Sequence, residues 1–115
     1  MAILEAMPYI KPEHRVKIDA DIEALAKKIS DIAKEDGDEG AYAGLLNYTI
    51  TRLSLRVAIN LFGGVRYKIG GMLSGVWNNV SEEFYDKVMR PYEDKQAAKN
   101  GNVPEYEELL GSMKK

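Results

Sequence analysis

The chain has no cysteine. Disulfides, thiol nucleophiles, iron–sulfur clusters and thiolate zinc sites are therefore excluded, and a reducing, cytoplasmic setting is the expectation that fits. Histidine is almost absent too. His14 is the single one, flanked by Glu13 and Arg15. A general base needs an oriented partner and a pocket, and neither is visible, so His14 reads as a surface residue. No Glu-x-x-His pair of the kind that builds di-metal sites in helical bundles occurs. No metal, no cofactor and no catalytic residue is expected, and the chain does not read as an enzyme. Net positive charge is also lacking: 16 Lys+Arg against 18 Asp+Glu leave −2, which argues against extended nucleic-acid binding while leaving room for a local basic pocket.

A long uncharged apolar run is missing as well. The nearest approach, "AYAGLLNYTITRLSLRVAINLF", carries Arg52 and Arg56 in its middle. Each would cost about 2.5–3.5 kcal/mol at a bilayer centre, so a membrane span is rejected in favour of a largely buried helix. The start, "MAILEAMPYIKPEHR", has neither a basic lead-in nor a long apolar stretch, so no signal peptide is expected.

What is present is helical periodicity. The 115 residues, 45% apolar and 30% charged, suit one globular domain spanning 1–115. From Pro12 to about Lys34, Ile18, Ile22, Leu25, Ile29 and Ile32 recur at alternating steps of four and three, a coiled-coil seam. Pro12 suits a first helical position and Gly37 marks the stop. A second helix runs to Leu61, with the stripe Leu46, Ile50, Leu53, Val57, Leu61 widened by its neighbours, and is expected to lie centrally in a bundle. A third spans about Tyr67 to Met89. Gly70, Gly71 and Gly75 loosen its first turns, which is tolerable where another helix approaches closely. Pro91 should end or kink it near Arg90 and start a short helix that stops at Asn100-Gly101. Pro104 then starts a short tail helix over 104–115. Residues 1–11, with Ile3, Leu4, Met7, Tyr9 and Ile10, read as an extended arm, packed on its own chain or on a partner.

Three clusters suggest chemistry. Glu82, Glu83 and Asp86 read as a solvated acidic face. "GGVRYKIGGMLSG" has phosphate-friendly glycines at a helix start, yet it matches no nucleotide-binding fingerprint and follows no strand. The richest set is Tyr48, Arg52, Arg56, Arg66, Tyr67, Tyr85, Arg90 and Tyr92: arginine forks grip phosphates and tyrosines stack on bases, but the same residues anchor protein interfaces. On a buried helix, Arg52 would need an anionic partner, either Glu83, Asp86 or a ligand.

Three segments, "MPYIKPEHR", "LNYTITRL" and "EFYDKVMRPYEDKQAAKNGNV", together resemble a family of small proteins of unknown function found in phages, bacteria and archaea. The resemblance covers most of Met7 to Val103. This chain has extra residues around Glu39 to Leu45 and extensions at both ends, and Asn102 stands where an acidic residue is usual. The resemblance implies that Asn47, Tyr48, Arg52, Tyr85 and Tyr92 form one polar–aromatic constellation, and it carries no activity.

The expected protein is an all-α bundle of three long helices, two short C-terminal helices and an extended N-terminal arm. The expected function is a protein-interaction or regulatory module, phage or prophage encoded, working as a homo-oligomer. The alternative is a non-enzymatic binder of a small anionic, nucleotide-like ligand, held by the arginine–tyrosine set.

Overall fold

The computed structural model describes residues 9–113, and everything regular in them is helical. The helices are α1 (Pro12–Asp36), α2 (Ala41–Phe62), α3 (Tyr67–Phe84), α4 (Arg90–Asn100) and α5 (Pro104–Met113), with a π-helical turn, Tyr85–Met89, between α3 and α4. Of the expected arm only residues 9–11 are described, and they are irregular; the rest of the arm lies outside the described residues, as do the last two positions of the tail.

The helix ends follow the local chemistry of the sequence. Pro12 occupies the first turn of α1, Glu13 faces the positive end of its dipole and Lys34 the negative end. Gly37, at φ 77°, returns its N–H to the Ala33 carbonyl at 3.3 Å. Asp38 accepts the Gly40 N–H at 2.9 Å and so shapes the turn into α2. Gly63, at φ 75°, ends α2 by donating to the Ile59 carbonyl at 2.8 Å. Both glycines hold a left-handed conformation that an L side chain adopts only at a cost.

Of the two expectations at Pro91, a stop or a kink, the stop does not occur. The helix neither ends nor begins afresh there: Phe84, Met89 and Arg90 all keep right-handed helical angles, Arg90 at φ −61°, ψ −48°. The missing proline N–H is absorbed by widening one turn, so that the Arg90 N–H bonds to the Tyr85 carbonyl five residues back. The third long helix therefore runs on from Tyr67 to Asn100, and one short helix follows rather than two.

The described fold divides into two units that meet between Val76 and Trp77, within α3. In the first, α1 packs on α2 across the short connection. The half-buried residues of α1 are Ile29 and Ala33, and those of α2 nearest the connection are Ala41, Leu45 and Thr49. Further along, Ala58 and Phe62 of α2 line an apolar cleft with Ile69, Met72, Leu73 and Val76 of α3. The second unit is built on the π-turn, α4 and α5, with Gln96 and Ala97 half-buried.

The central position expected for α2 is corrected by its exposure. Ala58 is the sole buried residue among those described. Leu46, Ile50, Leu53, Val57 and Leu61, the stripe expected in the core, are 41–69% exposed. Periodicity sets which face of a helix is apolar, whereas burial needs a second surface opposite it. Among the described residues too little surface lies against this face. Two glycines of α3 tell the same story: a Cβ at Gly71 would meet nothing within 4 Å, and one at Gly70 would touch only Val65, so no close helix crossing is made at these two positions.

Candidate functional site

Tyr48 and Arg52 sit one turn apart on α2, with the Arg52 guanidinium 5.9 Å from the Tyr48 ring centroid, within the range of a cation–π contact. Both are exposed, as are Arg56, Arg66 and Tyr67. Because α2 is open to solvent here, Arg52 is no buried charge and needs no anion to neutralise it. It keeps its five donors available, with no ion pair among the described residues.

The second cluster belongs to the other unit and is organised by the π-turn. Arg90 reaches back to Asp86 through Nε at 3.1 Å and Nη2 at 3.0 Å, a fork-like pair on one carboxylate oxygen. The Arg90 guanidinium also lies 5.3 Å from the Tyr85 ring centroid. Tyr85 donates its hydroxyl hydrogen bond to Glu93 Oε2. Ser81, Glu82, Tyr85, Asp86 and Arg90 line an open groove on this face. Two carboxylates border it and the one arginine is already paired, so it is a poor seat for an anion. Tyr92 is exposed on α4.

The candidate residues are thus gathered as Tyr48 with Arg52 in the first unit and Tyr85 with Arg90 in the second. Reasoning from sequence missed Glu93 as the partner of Tyr85. Glu93 lies in the first turn of α4, and eight residues of separation from Tyr85 give no signal of contact. The signal that was available is the Pro91 interruption, since an extra residue in a helical turn changes which side chains share a face.

The Tyr85 hydroxyl is shifted above its usual range. The cause, first, is the hydrogen bond to Glu93, then loss of solvent and the negative charges of Glu93 and Asp94, opposed by Arg90. The neutral phenol donates, whereas a phenolate would confront a carboxylate. A pKa raised on folding means the folded state holds its proton more tightly. Its contribution is therefore complete below the unfolded value of 10.0 and is lost as pH rises through the higher folded one. Ultraviolet titration should show Tyr85 ionising above the usual tyrosine range, and Glu93→Gln should bring it back toward that range.

Among the described residues no three histidine or acidic side chains converge as a metal site would require, and no helix is long and apolar enough to cross a membrane. These features define a small all-helical protein with open polar–aromatic clusters and mostly uncovered apolar faces. Residues 7–103 match the family model described as Domain of unknown function (DUF6899), and the chain belongs to that family. No curated protein and no solved structure matches it.

Proposed function

We propose that this protein is a non-enzymatic interaction module that works by helix–helix packing, as a homo-oligomer. The observation that carries this reading is the contrast between pattern and burial. Two long helices have apolar stripes at core-like spacing, yet Ala58 alone is buried in the described chain. Contiguous exposed apolar surface of this kind marks association sites rather than finished monomers.

A second reading keeps a specific observation of its own. Arg52 stands over Tyr48 with no carboxylate partner among the described residues, the arrangement that grips a phosphate and stacks a base. The Tyr85–Arg90 cluster supports it less, because Asp86 already holds the arginine.

Thermal melting separates the two. If helix packing between chains is the function, the midpoint rises with protein concentration and is unmoved by nucleoside mono- and triphosphates or cyclic nucleotides. A nucleotide present at a hundredfold excess over its Kd would stabilise by about 2.7 kcal/mol. A nucleotide-dependent rise without any concentration dependence would replace the interaction reading with the ligand reading.

A further inference from the structure

The apolar seam of α1 has its own edge of charge. At the spacing of Ile18, Ile22, Leu25, Ile29 and Ile32, the residues that border the seam on one side are His14, Asp21, Lys28 and Glu35, seven apart. The other border carries Asp19, Ala26 and Ala33. Ile29 and Ala33 are the half-buried residues of α1, so α2 covers the alanine border. The charged border stays open, and Ile18, Ile22, Leu25 and Ile32 remain 39–53% exposed. Neither Asp21 nor Lys28 has an ion-pair partner among the described residues.

We infer that the occupant of this seam is α1 of a second copy, running antiparallel about a two-fold axis. This inference rests on the interaction reading above and names its partner. In an antiparallel pair, like borders face each other. Packing Ile22 against Leu25 of the partner subunit brings Asp21 opposite Lys28 of the partner subunit, and His14 opposite Glu35 of the partner subunit. Symmetry repeats both pairs. A slip of seven residues in either direction opposes like charges instead, Asp21 to its own copy or Lys28 to its own copy. A parallel pair would set Asp21 and Lys28 against Ala26 and Ala33 of the partner subunit and leave only His14 opposite an acidic residue, Asp19 of the partner subunit. Charges beside a seam select orientation and register in this way.

Area shows what else must take part. A helix the length of α1, 25 residues, is about 37 Å long and about 10 Å wide, so its face offers roughly 370 Å². A standard interface needs about 800 Å² per partner. The exposed stripe of α2 supplies a comparable second face, so the copy is held along both helices, with α1 setting the register.

The test is a charge-swap cycle read by sedimentation equilibrium, with circular dichroism confirming helicity. Asp21→Lys and Lys28→Asp each place like charges across the seam and should weaken self-association at least tenfold. The double variant Asp21→Lys/Lys28→Asp should return to within about threefold of the original, since only a cross-chain pair is rebuilt by the swap. Single and double variants that weaken association additively, or not at all, would overturn the antiparallel seam while leaving self-association standing. An unaltered chain that stays monomeric at every concentration would remove the interaction reading along with it.

Discussion

Replacing Ala58 with aspartate is expected to lower the melting temperature more than any other single change in the first unit. Ala58 is 3% exposed, and the cleft around it is lined by Ser54, Val57, Phe62, Ile69, Met72, Leu73 and Val76. Ser54 alone among them offers a hydroxyl donor, and no cation lines the cleft to neutralise a carboxylate. An uncompensated buried charge costs about 3–5 kcal/mol, against a total stability of about 5–15 kcal/mol for a domain. Helix propensity alone accounts for at most about 0.7 kcal/mol of an alanine-to-aspartate change. The same substitution at Ala20, exposed on the outer side of α1, should therefore lose only that smaller amount. Melting curves of the two variants, followed at the far-ultraviolet helix band, compare them directly. Equal losses would mean that the cleft around Ala58 is not closed in solution.

The second large effect concerns a residue that a lone chain would scarcely miss. Leu53 is 55% exposed. If water is its only neighbour, Leu53→Asp falls among surface substitutions and changes stability by about 0.5 kcal/mol or little more. If another chain covers it, the variant forfeits about 1.5–3 kcal/mol of apolar burial and also strands a charge in the interface. A combined loss of about 3 kcal/mol or more lowers the midpoint by roughly 12 °C at the scale of 4–8 °C per kcal/mol. It should also shift the chain toward its monomer. Because the two situations differ several-fold, one melting curve and one mass distinguish them. A variant with unchanged midpoint and unchanged mass would place Leu53 in open solvent.

How much of this was legible in the sequence depends on how local the cause is. Pro12, Gly37, Gly63 and Pro104 act on their own turn of backbone, and the helices begin and end where those residues put them. Tyr48 and Arg52, like Asp86 and Arg90, are four apart, and helical geometry brings such pairs together without help from the rest of the fold. Pro91 shows the limit of local rules. Two outcomes satisfy its missing N–H, a stop or a widened turn, and the chain takes the second. Once it does, Tyr85 finds Glu93, a pairing that the stop would have forbidden. The exposure of Leu46, Ile50 and Leu53 was not legible for a different reason. An apolar stripe states that a face must be covered, and it does not say whether the cover is another part of the same chain or a second molecule.

Sedimentation equilibrium of the purified chain, from low to high micromolar concentration, is the most direct test of the claim that its helices need a partner surface. The expected result is a species whose mass is at least twice 12.9 kDa, dissociating only on dilution and carrying the cooperative melt with it. A single 12.9 kDa species at every concentration, melting cooperatively at one fixed temperature, would contradict the account.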